Sequence, residues 1–501
     1  MIADELRCRI LAAFGFLPTE EQEHAISVCI GFVTSPDTRS VMLLRGCAGT
    51  GKTLLASAIV RTLAEIGQST VLLAPTGRAA KVFALNSGQT AHTIHRHIYR
   101  QQQLTADMSG FQLGYNRAKR CLFVVDEASM VSNTYGGDNF GSGRLLDDLV
   151  RFVYSGAGCR LMLIGDHAQL PPVGENNSPA LQREELEHYG LTVHEATLDT
   201  VMRQSQLSGI LWNASHIRQL AGRDTHNLMP KVRLKGFADI HYVSGEELID
   251  TLANSLQRVG EDEMIVITRS NRRANIINNG VRHHVFDREE ELEGGDIVMT
   301  VRNNYYWLKP HSDEQQTTKQ PNDRTTKQPN DRTTMDIGIE VPDFIANGDR
   351  AIVRRLRHHR QLYGFHFADA TLRFPDYDNM ELTATLLLDT LHSDTPALDA
   401  ESNQRLYSAV SEDYQHLHTK AERIKAIKQD AYYNALQVKY AYAVTCHKAQ
   451  GGQWAHVYVD QGFITADTIG DEHIHWLYTA FTRASEHLFL INWPTEMTEQ
   501  E

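Results

Sequence analysis

A glycine-rich loop carries the side chains whose chemistry is clearest in the sequence. The segment Gly-Cys-Ala-Gly-Thr-Gly-Lys-Thr at 46–53 follows an apolar run at 41–44 and precedes a helix-like stretch at 54–60. Glycines let backbone N–H groups crowd around phosphate oxygens, and the start of a helix adds its positive dipole end. The lysine can reach the outer phosphates and the final threonine can ligate Mg²⁺. The loop predicts a nucleoside triphosphate site formed by Gly46, Cys47, Ala48, Gly49, Thr50, Gly51, Lys52 and Thr53.

Two acidic side chains stand where the second half of such a site is expected. The apolar run 122–125 ends in Asp126 and Glu127. Asp126 can hold Mg²⁺ through water together with Thr53, and Glu127 can orient or deprotonate an attacking water. A solvated Asp–Glu pair is the plain alternative. The pairing with Lys52 favours a triphosphate hydrolase.

Three further side chains are candidates for acting on the phosphates. Gln169 follows the apolar run 161–164 and could sense the outermost phosphate, although a rigid strand-to-helix connection would also explain its loop. Phosphoryl transfer also needs positive charge on the transferring group. The patterns Val-Met-Arg-Gln and Tyr-Thr-Ala-Phe-Thr-Arg-Ala select two arginines for that role. The predicted catalytic residues are Lys52, Glu127, Gln169, Arg203 and Arg483.

The elements that must position these side chains follow an α/β pattern. Helices are predicted at 4–15 and 20–34, and short apolar runs typical of parallel strands covered on both faces follow them. In such sheets ligands bind beyond the carboxyl ends of the strands, where the acids and the glutamine lie. A second set of apolar runs predicts a second α/β domain. The runs are 41–44, 70–74, 121–125 and 161–164 in the first set, and 264–267, 457–459 and 488–491 in the second.

The stretch inside the second domain has a different character. Short β elements with turns are predicted at 295–299 and 347–353, and between them the octapeptide 317–324 is repeated at 325–332. The repeat has no aliphatic residue, so a disordered surface loop is predicted over 311–334. One long helix is expected over 404–431. It would pack on its own domain, or its basic side would touch nucleic-acid phosphates.

Composition limits the class of protein. The 501 residues are 42% hydrophobic, which is enough for roughly two to four domains. The net charge of −13 gives no overall basic footprint, so nucleic-acid contact must use local patches or backbone amides. The six scattered cysteines include no CxxC pair, which argues against a zinc site or a disulfide framework and for a reducing compartment. No apolar run reaches the length of about 18 residues that a membrane span needs. We therefore predict a cytoplasmic protein.

The order of these motifs resembles a superfamily 1 DNA helicase of the RecD/Dda-like branch. The resemblance runs from Thr19 to about Ala484, nearly the whole chain. Besides the loop and the strand ends, it rests on Thr-Glu-Glu-Gln at 19–22, Ala-Pro-Thr-Gly-Arg-Ala-Ala-Lys at 74–81, Thr-Ile-His at 93–95, Thr-Arg-Ser-Asn at 268–271, Thr-Cys-His-Lys-Ala-Gln-Gly at 445–451 and the arginine motif at 478–484.

The resemblance implies an α/β fold of two RecA-like P-loop domains that flank one ATP with its Mg²⁺. Gln22 would recognise adenine, and Arg483 would reach from the second domain towards Lys52 across the nucleotide. The matched DNA-binding positions are mostly small hydroxyls and amides, suited to phosphate and sugar contacts. Helix capping or core hydrogen bonding is the plain alternative for any one of them. They are Pro75, Thr76, Thr93, His95, Thr268, Asn271, Thr445 and His447.

The resemblance also implies a domain plan. The first domain would cover 1–232, the second 233–290 and 441–501, and an inserted SH3-like β region with a helical arm 291–440. A small hairpin insertion at 96–118 would be the pin that splits duplex DNA, with Tyr99, Phe111 or Tyr115 as the stacking residue. An arginine cluster on the SH3-like insertion is either a nucleic-acid surface or a solvated strand face. Its members are Arg350, Arg354, Arg355, Arg357 and Arg360.

The function implied is that of an ATP-dependent helicase. It would move 5′ to 3′ on single-stranded DNA, act at ss/ds junctions as a monomer, and have replication or recombination proteins as candidate partners. Two alternatives stay open: a motor subunit of a nuclease or recombination complex, and an ATP-switched nucleic-acid remodelling protein without processive unwinding. RNA is an alternative substrate, since phosphate gripping discriminates sugars poorly.

Overall fold

The computed structural model describes residues 2–101, 111–135, 141–201, 208–221, 229–308, 344–465 and 469–499. Over these residues the chain forms two parallel sheets, a closed barrel and a two-stranded hairpin. The predicted loop at 311–334 and the candidate Arg203 lie outside the described residues. Within the described part, no helix is both long and apolar enough to span a bilayer.

The strands are β1 (Ser40–Gly46), β2 (Thr70–Ala74), β3 (Ala91–Thr93), β4 (Tyr99–Gln101), β5 (Phe111–Leu113), β6 (Leu122–Val125), β7 (Arg160–Gly165), β8 (Thr192–Leu198), β9 (Ile240–Val243), β10 (Met264–Thr268), β11 (Ile297–Thr300), β12 (Arg350–Leu362), β13 (Phe365–Phe374), β14 (Met380–Leu387), β15 (Leu436–Tyr440), β16 (Ala443–Thr445), β17 (Trp454–Asp460) and β18 (Ala484–Ile491). The helices are α1 (Ile2–Phe14), α2 (Glu20–Thr34), α3 (Lys52–Glu65), α4 (Gly77–Ser87), α5 (Ile94–Ile98), α6 (Leu145–Ser155), α7 (Arg183–His188), α8 (Gly209–Arg218), α9 (Leu248–Val259), α10 (Asn271–His284), α11 (Ala400–Asp413), α12 (Lys420–Lys428), α13 (Cys446–Ala449) and α14 (Asp471–Phe481).

The first sheet has the strand order β3-β2-β6-β7-β1-β8, and every pair in it is parallel. Alternate side chains of β1 enter two different cores, Val41 and Leu43 on one face and Met42 and Leu44 on the other. A strand buried on both faces reads as a continuous apolar run, which is how β1 was found in the sequence. The sheet directs the carboxyl ends of β1, β6 and β7 to one edge.

The second sheet has the order β16-β10-β17-β18-β9 and is also entirely parallel. The three apolar runs predicted for a second α/β domain lie in β10, β17 and β18. The predicted α/β class with parallel sheets is therefore confirmed.

Between β10 and β16 along the chain lies a closed barrel of β11, β12, β13, β14 and β15. Its neighbours pair antiparallel except β14 and β15, which pair in parallel. Helices α11 and α12 cover one part of its outer wall, where Val410 and Ile427 pack with Phe365 and Phe367.

The single helix predicted over 404–431 is wrong. The chain forms α11 and α12 with a break between them. Thr419 starts the second helix: its hydroxyl accepts from the Glu422 N–H, and the Glu422 carboxylate accepts from the Thr419 N–H. This capping box ends the continuous period that the apolar residues suggested.

The hairpin of β4 and β5 falls inside the predicted insertion at 96–118. Its Phe111 ring lies 4.3 Å from the ring of Tyr305, which follows the barrel strand β11. Tyr99 is buried, and its hydroxyl donates to Asp148 at 2.8 Å. Tyr115 is 95% exposed. Of the three aromatic residues considered for stacking, Tyr115 is therefore the one open to solvent.

Candidate active site and nucleic-acid interface

The glycine-rich loop connects β1 to α3, as its sequence requires. Gly49 and Gly51 have φ of +77° and +78°, a region that residues with a Cβ rarely enter. A Cβ on Gly46 would lie 2.5 Å from the carbonyl oxygen of Leu198 on β8. Backbone shape and close packing therefore explain the three glycines.

Lys52 and Gln22 both contact the loop itself. The Lys52 ammonium donates to the carbonyl oxygens of Gly46 and Cys47, each at 2.8 Å. The Gln22 amide nitrogen donates to the Thr50 carbonyl at 2.9 Å, while its oxygen takes part in the capping box that starts α2. Gln22 thus braces the loop, and its contact with adenine stays a prediction.

The two acids lie directly beside the loop. The Thr53 hydroxyl donates to Asp126 Oδ2 at 3.2 Å. Burial, with the neighbouring Glu127 charge as a second cause, raises the pKa of Asp126 to about 6. Glu127 has a left-handed backbone with φ of 52°, which costs about 1 kcal/mol or more and is typical of functional sites.

The residues present fit a magnesium ion. Among the described residues, no group of three or more His, Cys, Asp or Glu could hold a metal. Mg²⁺ usually takes one or two protein ligands and completes its shell with water and phosphate oxygens. One hydroxyl and one carboxylate, Thr53 and Asp126, match that preference.

Gln169 is buried, and its Oε1 has no hydrogen-bond partner in the described part of the chain. Buried acceptors are nearly always paired, so this oxygen requires a donor from outside the described residues. A water or a protonated group on a bound ligand would supply one. The prediction that Gln169 faces the reacting phosphate is consistent with this orphaned atom.

Helix α14 of the second domain contacts the first domain at the glycine-rich loop and at the segment that follows β7. The Tyr478 hydroxyl accepts from the Ala48 N–H of the loop at 3.0 Å and donates to the buried Asp166 at the end of β7. The adjacent Thr479 hydroxyl accepts from the Leu170 N–H at 2.7 Å. Burial and the Asp166 charge hold the pKa of Tyr478 far above its usual range, so it is neutral. The nucleotide loop therefore touches both halves of the molecule.

The hydrogen bonds of Arg483 lie within the second domain, whereas its predicted role places it across the nucleotide from Lys52. The Arg483 guanidinium is buried and donates to the carbonyls of Thr479 and Gly452, both at 3.1 Å, and to the Thr482 hydroxyl at 3.2 Å. None of these partners belongs to the loop, so the role of Arg483 stays a prediction. An arginine that the structure does place beside the end of β7 is Arg218, whose Nε is 3.8 Å from Asp166 Oδ1 and whose Nη1 is 2.8 Å from Asp199 Oδ1.

The sequence did not point to Arg218, which ends α8 outside any recognisable pattern. Asp166 lies in the segment Gly-Asp-His-Ala-Gln that follows β7, so its position at a strand end could be predicted. Its partner Tyr478 belongs to the arginine motif, which gave no indication of this contact. The contact between them joins residues more than 300 positions apart. No local signal predicts such a pair.

Two of the predicted DNA-binding threonines are helix caps. Thr76 caps α4 by accepting from the Ala79 N–H, and Thr93 caps α5 by accepting from the Arg96 N–H. Thr268 is fully buried and donates to the Ser270 carbonyl at 3.1 Å. The Thr268 hydroxyl is thus used inside the second sheet, and a contact between Thr268 and DNA stays a prediction.

The other predicted positions belong to both domains, and one close contact joins the two groups across the junction of the sheets. Pro75 follows β2, and a Cβ on Gly451 would lie 2.9 Å from Thr76 Oγ1. Thr445 and Asn271 line one shallow cavity of the second domain. The remaining two are histidines. Burial lowers the pKa of His95 to about 4 and also lowers that of His447, so both are neutral at pH 7.

Arg78 also makes contacts across the junction of the two sheets. Arg78 Nη2 donates to the Gln453 carbonyl at 2.5 Å, and its guanidinium lies 4.4 Å from the centre of the Trp454 ring. A cation over an indole face is attracted by the ring quadrupole. This contact joins α4 of the first sheet to β17 of the second.

Two family models match the chain. One, described as an AAA domain, covers residues 19–231, and the other, a UvrD-like helicase C-terminal domain, covers residues 440–491. The ATP-dependent RecD2 DNA helicase of Deinococcus radiodurans is 34% identical over 134 residues. The ATP-dependent DNA helicase dda of Enterobacteria phage T4 is 24% identical over 294 residues.

The resemblance to superfamily 1 helicases of the RecD/Dda branch is confirmed. The matches cover 26% and 56% of this chain, and they span 16% and 60% of the RecD2 and dda relatives. An uncharacterized protein of Acanthamoeba polyphaga mimivirus is 21% identical over 90% of this chain and 95% of its own length.

Solved structures of Pif1 helicases are also similar to this helicase-like chain. The Bacteroides protein, in complex with ADP-AlF3 and ssDNA, is 16% identical with a TM-score of 0.43 and covers 97% of this chain and 95% of its own. The Candida albicans protein is 15% identical with a TM-score of 0.39 and covers 97% of both chains.

Proposed function

We propose that the protein is an ATP-dependent DNA helicase that translocates 5′ to 3′ on single-stranded DNA and unwinds duplex DNA. The observation that carries the proposal is the Tyr478 hydroxyl, which bonds to both the Ala48 amide and Asp166. Through it the second sheet contacts the nucleotide loop, so the state of a bound nucleotide can change the relative position of the two domains. Such nucleotide-dependent closure is what a stepping motor requires.

The loop residues supply the hydrolysis half of this function. Lys52 exchanges the carbonyls of Gly46 and Cys47 for phosphate oxygens when ATP enters, which neutralises charge where it develops. Thr53 and Asp126 would hold Mg²⁺, which supplies charge neutralisation to the phosphates when bound. Glu127 orients and deprotonates the attacking water, and Gln169 gives that water a second acceptor.

Positive charge on the transferring group comes from arginines. Arg203 and Arg483 remain the proposed residues, and Arg218 joins them because it lies beside Asp166 at the end of β7. Arg483 would need to exchange its carbonyl partners for phosphate oxygens as the cleft closes. Its three hydrogen bonds within the second domain hold it ready in one conformation.

Single-stranded DNA would lie along the junction of the two sheets. Pro75 and Thr76 of the first domain face the 445–451 segment of the second, so the two domains can grip the backbone alternately. The proposed contacts are Pro75, Thr76, Thr93, His95, Thr268, Asn271, Thr445 and His447. Polarity is taken from the resemblance to the RecD/Dda branch.

The experiment is strand displacement with ATP and Mg²⁺ on DNA duplexes that carry only a 5′ tail or only a 3′ tail. Displacement from the 5′ tail alone is expected. Displacement from the 3′ tail alone would overturn the polarity, and equal activity with RNA tails would overturn the assignment of DNA. ATP hydrolysis stimulated by single-stranded DNA without displacement from either tail would favour a remodelling protein or a motor subunit that needs a partner.

A further inference from the structure

The outer wall of the barrel carries a charge opposite to that of the whole molecule. Strands β12, β13 and β14 contain six arginines, of which Arg350 is buried, and only two carboxylates, Asp369 and Glu381, in a chain of net charge −13. Nothing in the proposed hydrolysis or single-strand grip uses these residues. A local reversal of charge of this kind marks a surface for a polyanion.

Strand register puts the arginines on one face. Arg355 pairs opposite Thr371, and Arg357 pairs opposite Asp369. Thr371 in turn lies opposite Thr383 of β14. Directly opposed residues share a face of a sheet, and the intervening Ala370 is buried in the barrel core. Arg355, Arg357, Thr371, Arg373 and Thr383 therefore form one outward surface, the arginine face.

The positive charge of the arginine face is not cancelled by its own acids. The Asp369 carboxylate is already bonded to Arg360 at 2.5 Å and to the Thr385 hydroxyl at 2.9 Å. Glu381 lies 4.0 Å from Arg354. Arg355 and Arg357 are exposed, and in the described part of the chain neither takes part in a hydrogen bond or an ion pair. Among the described residues, these two guanidinium groups remain available to an external partner.

The chemistry of the arginine face selects the phosphate backbone of a duplex. Residues two apart on a strand are about 7 Å apart, so the two arginines can contact successive phosphates. Thr371 and Thr383, whose hydroxyls are 3.1 Å apart, add the donors that usually accompany arginine at phosphates. Sites for single strands also present aromatic rings for base stacking. The aromatic residues of this side of β13, Phe365 and Phe367, are buried under α11 and α12.

We propose that the arginine face is a docking surface for duplex DNA. The barrel that carries it is fixed to the first domain: Lys81 donates to the Pro375 carbonyl at 2.8 Å, and Phe111 of the hairpin packs on Tyr305. A duplex held there would lie beside α4 and the hairpin of the first domain. This role rests on the proposed helicase function, but duplex binding itself needs no ATP.

The test is fluorescence anisotropy with a blunt DNA duplex, without ATP, at salt concentrations from about 50 to 200 mM. The variant Arg355→Gln/Arg357→Gln is compared with Arg7→Gln/Arg9→Gln, which removes the same charge from the exposed N-terminal helix α1. Each lost phosphate contact lowers the salt slope by about one, so we expect a slope smaller by about two and at least about tenfold weaker duplex binding at low salt.

Each outcome is decisive. Equal affinity and slope in the two variants would overturn the proposal, and an acidic protein would then be the better partner for this face. An equal loss for a single strand of the same length would also overturn it, since the face would not select the duplex. If the tailed-duplex experiment shows no unwinding while the duplex-binding loss persists, the docking surface stands and only the helicase function fails.

Discussion

At the scale of single residues, Lys52 shows most directly what a nucleotide must change. Its ammonium rests on the carbonyls of Gly46 and Cys47, which are weaker partners than phosphate oxygens. The sequence predicted the loop, both acids and Gln169, because all of them sit at strand ends that a short apolar run reveals. For Thr268 the sequence left two roles open, since the same hydroxyl suits a core hydrogen bond and a phosphate contact equally well.

Lys52→Ala is expected to lower ATP hydrolysis by about 100-fold or more, because the developing charge on the phosphates loses its nearest cation. The variant should stay folded, since the lysine contacts only loop carbonyls. Steady-state hydrolysis and a thermal melt would be measured beside Lys119→Ala, an exposed lysine of the first domain. Turnover equal to that of the control would move the active site elsewhere.

At the scale of elements, helix α14 joins the two sheets through one hydroxyl. Its sequence predicted an arginine motif, and the structure adds that Tyr478 contacts the nucleotide loop. The barrel was less predictable. Its closure depends on β11 pairing with β15, strands about 140 residues apart, whereas sequence patterns report only local periods. The same limitation produced the single helix over 404–431, since apolar spacing continued across a capping box.

Tyr478→Phe keeps the ring and removes the hydroxyl that links Ala48 to Asp166. A hydrogen bond to a buried charge contributes about 1.5–3 kcal/mol, so closure of the cleft should weaken about tenfold or more. We expect a lower kcat for hydrolysis stimulated by single-stranded DNA, with little change in the KM for ATP. Tyr242→Phe, at an exposed position on β9, is the matched control. A higher KM for ATP with unchanged kcat would show that the hydroxyl only helps to bind ATP.

Asp349, at the end of the barrel near α4, makes stability depend on pH. Burial raises the pKa of its carboxyl to about 7, although the Ala346 N–H and the Tyr377 hydroxyl both donate to it. Because the folded state binds this proton more tightly than the unfolded state, protonation of Asp349 raises the free energy of unfolding. That contribution is complete below about pH 4 and is lost as the pH rises to about 7. Asp349→Asn should therefore gain on the order of 2 kcal/mol relative to wild type at pH 8, and the difference should shrink at pH 5.

Urea unfolding at the two pH values measures this gain, with the exposed Asp378→Asn of the same barrel as control. A difference between Asp349→Asn and wild type that is the same at pH 5 and pH 8 would contradict the assignment, because only a titrating carboxyl makes it vary.

At the scale of the whole molecule, two separate sets of contacts join the two domains. Tyr478 and Thr479 hold the nucleotide side, and Arg78 with Trp454 holds the side proposed for DNA. Both sets connect the same two sheets. If each sheet moves as a rigid body, a change in the contacts at the nucleotide side must therefore also move the contacts at the side proposed for DNA. The net charge of −13 is compatible with the proposed DNA binding, since the proposed contacts are local and use the arginine face rather than a global field.

Arg78→Ala removes the DNA-side contact and so measures this coupling. Coupling between sites is typically worth 1–3 kcal/mol, which predicts about a 5- to 150-fold loss in the stimulation of ATP hydrolysis by single-stranded DNA. The measurement is made at saturating DNA, so that any weaker DNA binding does not enter, and the rate without DNA should match that of Arg258→Ala, an exposed arginine of α9. If stimulation at saturation stays at the wild-type level, the two sides of the junction are not coupled through Arg78. The nucleotide-side contacts of α14 would then have to carry the DNA signal alone.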